Sequence, residues 1–273
     1  MQFSSLPPSF PPGNLPWPRL QTVLLNLDQL RSLSREGQEQ TLWRDWLHQT
    51  EQEKLQTLHY EKRHIEWLGG RICAKQAALQ YLCHNQQGTI CDQQDIAAPD
   101  LLIMNSTAGR PFLEHQARPQ NLDMPHISIS HSQGYALAMA AASPCGIDIQ
   151  AESPSLGRVQ DHFCAAAEVT LLRQGLKQLQ ATDQLMLLWV AKEAVKKSVS
   201  LAPMPGFLEL SLIHIQTMAR DSFLFTIAYH EKRARDKQHA INPQRQCQVA
   251  VGLHHRYGIG LSVFPSQPGA ANA

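Results

Sequence analysis

Two long stretches with helical periodicity, each followed by short strand-like segments, limit the possible folds of this chain more than any other feature. The first stretch covers residues 62–84 and the second covers residues 183–199. The segments that follow them alternate apolar and polar residues with the period of two that half-buried strands show. The tetrapeptide Ala74-Lys-Gln-Ala77 in the first stretch is echoed by Ala191-Lys-Glu-Ala194 in the second. The sequence therefore predicts an α+β fold in which a long helix followed by strands occurs twice.

The second of these helices carries a dense group of charges. Helical spacing puts one set of residues on a polar face and another on an apolar face, namely Lys192, Glu193, Lys196 and Lys197 against Leu188, Ala191, Ala194 and Val195. One carboxylate among three ammonium groups suits a hard cation bound together with a polyanion. An ordinary surface ion pair between Glu193 and Lys197, worth about 0.3 to 0.5 kcal/mol, is the alternative interpretation.

A second polar pair lies on a strand predicted at residues 146–150. Ile147 and Ile149 point to one face of this strand, while Asp148 and Gln150 point to the other, about 6.6 Å apart. An acid on an inner strand is costly unless something pairs with it. A bound Mg²⁺ and a hydrogen-bonded structural aspartate both meet this need, and the residues alone leave the choice open.

Together these segments resemble the 4'-phosphopantetheinyl transferases, specifically the monomeric type associated with surfactin and enterobactin synthetases. That family shows a Gly-hydrophobic-Asp-hydrophobic-Glu strand and a Trp-x-x-Lys-Glu-x-x-x-Lys helix. The corresponding residues here are Gly146–Gln150 and Trp189–Lys197, so Gln150 replaces the family's second strand acid. Three further segments resemble family motifs in the expected order, and these are Lys62–Lys75, Gly109–Leu113 and Ile129–His131.

The resemblance implies two pseudo-symmetric lobes, each with a long helix packed on a small antiparallel sheet. We expect the N-terminal lobe at residues 20–145 and the C-terminal lobe at 146–264. A Pro-rich extension is expected at 1–19 and a flexible tail at 265–273. The functional site is expected in the cleft between the lobes.

The resemblance also implies a reaction. It is the Mg²⁺-dependent transfer of the 4'-phosphopantetheine group from coenzyme A to a serine of an apo acyl or peptidyl carrier protein, which releases adenosine 3',5'-bisphosphate. The implied metal ligands are Asp148 and Glu193, with Gln150 as a neutral contributor. Glu193 is also the candidate general base, and Lys197 and Lys192 are expected to contact the phosphates.

Six residues are expected to bind the nucleotide end of coenzyme A, and they are Arg63, Arg71, Lys75, Arg110, Ser130 and His131. The first three follow one another at helical spacings of eight and four, so they form a basic strip on one side of the helix. Ser130 and His131 end a strand, and Arg110 lies in a Gly-Arg-Pro loop. Solvated charges on the helix and a structural role for His131 are the alternatives.

Composition excludes several other classes of protein. A formal net charge of +1 gives no general attraction to nucleic acid. The six cysteines form no CxxC pair and the thirteen histidines form no HExxH motif, so neither a zinc site nor a disulfide framework is predicted. No segment has the length of a membrane span and the N-terminus lacks the pattern of a secretory signal, so we expect a cytoplasmic protein.

Two alternative functions remain open at this stage. Gln150 leaves room for a non-catalytic relative that binds coenzyme A or a carrier protein. A Mg²⁺-dependent hydrolase of nucleotide pyrophosphates could use the same metal, base and lysines with water in place of the serine. The monomeric state is expected from the resemblance alone.

Overall fold

The computed structural model describes residues 1–6, 10, 15–17, 19–85, 96–115, 123–199, 204–230 and 244–264. The chain divides into two compact units. The N-terminal unit contains Met1–Leu6 and Trp17–Cys145, and the C-terminal unit contains Pro7–Pro16 and Gly146–Ala273. The tail predicted at 265–273 lies outside the described residues, as does much of the extension predicted at 1–19.

The N-terminal unit packs one long helix against a small sheet. Its elements are β1 (Leu20–Asn26), α1 (Leu27–Arg35), α2 (Glu39–Trp46), α3 (Gln49–Gln56), α4 (Glu61–Asn85), β2 (Leu101–Asn105), β3 (Pro111–His115), β4 (His126–Ser132) and β5 (Tyr135–Ala141). Strands β1, β5 and β4 form an antiparallel sheet in that order, and β2 pairs with β3 as a hairpin. Helix α4 covers this sheet and buries Ile65, Leu68 and Ile72 against it.

The C-terminal unit has the same plan with a larger sheet. Its elements are β6 (Cys145–Ala151), α5 (Ser155–Arg158), α6 (Ala166–Gly175), α7 (Ala181–Ser198), β7 (Leu210–Ala219), β8 (Ser222–His230), β9 (Gln244–His254) and β10 (Tyr257–Val263). The strand order is β6-β10-β9-β8-β7. Helix α7 covers β9 and β10, and the core between them contains Val190, Val249 and Val251. The predicted α+β class, with a long helix on a small sheet in each half, is confirmed.

A buried ion pair of the same design anchors the long helix of each unit. In the N-terminal unit, Lys75 of α4 pairs with Glu51 of α3 and donates to the carbonyl oxygen of Trp46. In the C-terminal unit, Lys192 of α7 pairs with Glu168 of α6 and donates to the carbonyl oxygen of Phe163. The acid precedes the lysine by 24 residues in both units.

Each of these acids also satisfies backbone amides that would otherwise be buried without partners. Glu51 accepts a hydrogen bond from the backbone amide of His48, the residue just before α3, and another from the amide of Ile103 on β2. Glu168 accepts in the same way from Ala165 and from Leu212 on β7. One carboxylate therefore caps a short helix, fixes a strand and neutralises a lysine of the long helix.

The structure contains two adjacent elements that the sequence did not predict, strand β1 and helix α1. Among the residues that the structure describes, no helix is both long enough and apolar enough to cross a bilayer.

Candidate active site

Strand β6 and helix α7 meet at a glycine, and this contact positions the candidate metal ligands. A Cβ atom on Gly146 would lie 1.9 Å from the carbonyl oxygen of Ala194 and 2.8 Å from the amide nitrogen of Ser198. Only a residue without a side chain allows the two backbones to come so close. Asp148 follows Gly146 by two residues, and Glu193 immediately precedes Ala194, so both carboxylates belong to elements in direct contact.

Asp148 is buried on β6 and is neutralised by a lysine of α7. The amino group of Lys197 donates to the Asp148 carboxylate at 2.7 Å and to the carbonyl oxygen of Ile147 at 2.9 Å. The Asp148 side chain is only 9% exposed and that of Lys197 is 28% exposed. The buried acid therefore has the partner that the sequence requires, and that partner is itself a predicted catalytic residue.

Glu193 also has a lysine partner, one helical turn along α7. The amino group of Lys196 lies 3.1 Å from the Glu193 carboxylate. It also lies 4.0 Å above the centre of the Phe207 ring, which stacks against Trp189 at 4.7 Å between centroids. An ion pair and a cation–π contact thus hold Lys196 beside Glu193.

The donor set fits a Mg²⁺ ion in chemistry and in number. Mg²⁺ prefers oxygen ligands and is commonly held by one or two carboxylates together with waters and substrate phosphates. Asp148 and Glu193 supply two carboxylates, and Gln150 follows Asp148 on the same face of β6. The amide nitrogen of Gln150 donates to the carbonyl oxygen of Ala151 at 2.9 Å, so this side chain is tethered near the strand end. Among the described residues, no group of three or more His, Cys, Asp or Glu side chains could hold a metal ion.

The prediction that Lys192 contacts phosphates is wrong. Its side chain has no exposed surface, and its amino group lies 2.8 Å from Glu168 and 2.7 Å from the carbonyl oxygen of Phe163. Burial lowers the pKa of Lys192, and the contacts with Glu168 partly oppose this shift. Lys192 therefore belongs to the buried side of α7 rather than to the polar face on which helical spacing had placed it.

The N-terminal unit contains a separate cavity of about 220 Å³. It is lined by Arg63, Glu66, Trp67, Gly70, Arg71, Asn105, Pro111, Ile129 and His131. Three of the six predicted nucleotide-binding residues, Arg63, Arg71 and His131, are therefore brought together in one pocket. Two arginines and an imidazole beside an aromatic ring form a chemical environment suited to a phosphorylated, partly planar ligand.

Arg71 is held in a fixed position in this cavity. Its guanidinium carbon lies 4.6 Å from the centre of the Trp67 ring, and its Nε lies 3.4 Å from Glu51. Burial lowers the pKa of Arg71, and the charge of Glu51 opposes that shift. Glu51 also pairs with Lys75, so one buried carboxylate is shared between two cations of α4.

The prediction that Lys75 belongs to the nucleotide site is also wrong. Its side chain has no exposed surface and is enclosed by Glu51 and Trp46. The basic strip therefore turns into the core after Arg71, where α3 covers the helix. Ser130 is buried on β4 directly before His131. Arg110 is half-buried in the turn that leads to Pro111, and burial lowers its pKa.

The sequence interpretation assigned no role to two residues that line this cavity, Glu66 and Trp67. Glu66 lies 3.8 Å from the Nδ1 atom of His131 and 3.9 Å from Lys62. A signal was present, because positions 63, 66, 67, 70 and 71 follow the spacing of a single helical face. The cavity uses that whole face of α4, whereas the prediction selected only its positive charges.

Comparison with known proteins relates the C-terminal part of the chain to one family. Residues 144–251 match the family model described as the 4'-phosphopantetheinyl transferase superfamily. A holo-[acyl-carrier-protein] synthase of Geobacillus sp. (strain WCH70) is 34% identical over 77 residues, which are 28% of this chain and 57% of that protein. The synthase of Staphylococcus haemolyticus (strain JCSC1435) is 27% identical over 115 residues, 42% of this chain and 87% of that protein.

Two solved structures align with part of the chain. A holo-ACP-synthase from Plasmodium yoelii aligns with a TM-score of 0.35 and 16% identity, over 44% of this chain and 90% of that one. An ACPS–CoA complex from Chronobacterium ammoniagenes aligns with a TM-score of 0.37 and 20% identity, over 45% of this chain and 93% of that one. The chain spans little more than half the length of the Geobacillus relative that it matches.

Proposed function

We propose, from the match of residues 144–251 to the family model of the 4'-phosphopantetheinyl transferase superfamily, that this chain transfers phosphopantetheine from coenzyme A to a carrier protein. In this reaction the oxygen of a carrier serine forms a bond to the phosphorus that bears the pantetheine group. The bond from that phosphorus to the bridging oxygen of the pyrophosphate breaks, and adenosine 3',5'-bisphosphate leaves with the electron pair. The serine proton passes to a base on the enzyme.

The C-terminal unit carries the groups for this chemistry. Glu193 serves as the general base and, with Asp148, as a ligand for Mg²⁺, while Gln150 contributes a neutral oxygen. A bound Mg²⁺ would supply charge neutralisation on the pyrophosphate oxygens. Lys197 lies one helical turn beyond Glu193 and stabilises the negative charge that develops on the leaving phosphate.

The N-terminal unit binds the nucleotide portion of coenzyme A in this proposal. Arg63, Arg71 and His131 offer positive charge around a cavity that also presents an aromatic ring. Ser130 and Arg110 adjoin cavity residues in the chain and complete the set. Lys75 and Lys192 act at a distance from the ligand, through the ion pairs that hold α4 and α7 in place.

One observation carries the proposal, namely the contact at Gly146 that joins the candidate metal strand to the candidate catalytic helix. Lys197 follows Asp148 by 49 residues in the sequence, yet its amino group lies 2.7 Å from the Asp148 carboxylate. In the structure Lys197 pairs with Asp148 across the two elements, whereas Glu193 pairs with Lys196. This contact supports the proposal that the strand and helix motifs act as one site.

The test is to follow the release of adenosine 3',5'-bisphosphate by chromatography. The protein is incubated with coenzyme A and Mg²⁺, together with an apo carrier protein or its serine-to-alanine variant as the matched control. We expect release only with the intact carrier. Release with both carriers, or in a reaction that contains no carrier, would indicate a hydrolase that uses water. No release under any condition would favour the non-catalytic relative that Gln150 leaves open.

A further inference from the structure

The two candidate metal ligands are each neutralised by a lysine. Lys197 lies 2.7 Å from Asp148, and Lys196 lies 3.1 Å from Glu193. These two carboxylates and two ammonium groups carry no net charge together. Gln150 adds none, because its amide is neutral. A divalent cation that arrives alone therefore meets two carboxylates that are already paired with positive charges.

Lys196 is not a freely moving surface side chain. It is 17% exposed and Glu193 is 22% exposed, so the pair is mostly shielded from water. Its amino group also lies over the Phe207 ring, which is fixed by Trp189 and Phe163. The Trp-x-x-Lys-Glu-x-x-x-Lys pattern leaves the residue at this position unspecified. Lys196 is therefore a feature of this chain that the resemblance does not account for.

We propose that Lys196 is a built-in counter-ion of Glu193 that makes Mg²⁺ binding depend on coenzyme A. The inference rests on the proposed function. The pyrophosphate of coenzyme A brings negative charge of its own and offers Lys196 and Lys197 an alternative partner. Glu193 and Asp148 would then be available to hold the metal together with phosphate oxygens. Metal and coenzyme A consequently bind with positive coupling, and each raises the affinity for the other by the same factor.

The alternative to this dependence is an independent metal site. In such a site Glu193 and Asp148 would bind Mg²⁺ equally well with and without coenzyme A, and Lys196 would serve only to pack against Phe207. The two cases differ in the affinity for Mg²⁺ measured on the protein alone, so no turnover is needed to separate them.

The experiment is isothermal titration of MgCl₂ into the protein, with and without saturating coenzyme A. A titration of MgCl₂ into coenzyme A without protein is the blank. For the wild-type protein we expect weak Mg²⁺ binding alone and binding at least about tenfold tighter with coenzyme A. Lys196→Met should strengthen the binding of Mg²⁺ alone by on the order of tenfold, because one unit charge beside Glu193 is removed. Lys196→Arg, which keeps the charge, should behave like the wild-type protein.

The matched control is Lys177→Met, which removes the same charge from an exposed position outside the site. It should leave the Mg²⁺ affinity unchanged. The inference is overturned if Lys196→Met and the wild-type protein bind Mg²⁺ alone with equal affinity, or if coenzyme A has no effect on that affinity. Either result could accompany normal transfer, so this inference can fail while the proposed function stands. Tighter Mg²⁺ binding by Lys196→Met in a protein that transfers nothing would support the inference and refute the function.

Discussion

The glycine at position 146 should be indispensable for both stability and activity. In Gly146→Ala the new Cβ atom would lie 1.9 Å from the carbonyl oxygen of Ala194, whereas real contacts essentially never fall below 3.0 Å. The opposing atoms are backbone, so β6 and α7 must separate by roughly 1 Å, at a cost of about 1 to 3 kcal/mol in the free energy of unfolding. A displacement of that size beside Asp148 and Glu193 should lower the transfer rate by roughly 100-fold.

Two measurements test this prediction. Thermal unfolding followed by circular dichroism should show a midpoint reduced by about 2 to 4 °C for each kcal/mol lost. The rate of carrier modification under saturating coenzyme A should fall in parallel. Gly157→Ala is the matched control, since a Cβ at Gly157 meets nothing within 4 Å. A Gly146→Ala variant with wild-type unfolding and rate would refute the claim that this contact positions the site.

Three further outcomes follow from the contacts of individual side chains. Glu168→Gln should cost about 3 to 5 kcal/mol of unfolding free energy at neutral pH, because Lys192 is left buried and charged. Burial lowers the folded pKa of Lys192 below 10.5, so the loss measured in denaturant titrations should shrink as the pH rises toward that value. A loss that does not depend on pH would contradict this cause. Arg71→Gln should weaken coenzyme A binding in calorimetry by about 1.5 to 3 kcal/mol, whereas unchanged affinity in a variant whose fold is verified by circular dichroism would remove Arg71 from the nucleotide site. Gln150→Glu should raise the affinity for Mg²⁺ and preserve transfer at limiting Mg²⁺, and an unchanged affinity would show that position 150 does not face the metal.

The sequence predicted well those features that depend on local periodicity. Helix α7 was predicted at 183–199 and runs from Ala181 to Ser198, and the strand predicted at 146–150 lies within β6. Helix α4 agrees to a similar degree. These elements have strong apolar patterns of their own, so their limits follow from nearby residues.

Features that depend on distant partners could not be predicted in the same way. Strand β1 passes directly into α1 with only Asn26 as a cap, so no Gly or Pro marks the boundary. Its strand character comes from pairing with β5, more than 100 residues later in the chain, where Leu20 opposes Ala141. Local propensity is a weak guide when such long-range pairing determines the conformation.

Which lysine of α7 is buried also depends on a distant partner and could not be predicted from local spacing. Helical spacing groups Lys192 with Glu193, Lys196 and Lys197, and nothing in that spacing indicates which of them is buried. The outcome depends on Glu168, which lies 24 residues before Lys192 and draws its amino group into the core. Lys75 and Glu51 repeat this arrangement in the N-terminal unit. An acid at the third position of a short helix, at a fixed distance before a lysine, is the signal that could have revealed both pairs.

The most direct test of the account is intact-protein mass spectrometry of an apo carrier protein incubated with coenzyme A, Mg²⁺ and this protein. A parallel reaction contains EDTA, and another contains the Glu193→Gln variant, whose fold is checked by circular dichroism. We expect a mass gain of one phosphopantetheine in the complete reaction and none in the other two. No gain across carriers from fatty-acid, polyketide and peptide assembly lines, or an undiminished gain with Glu193→Gln, would contradict it.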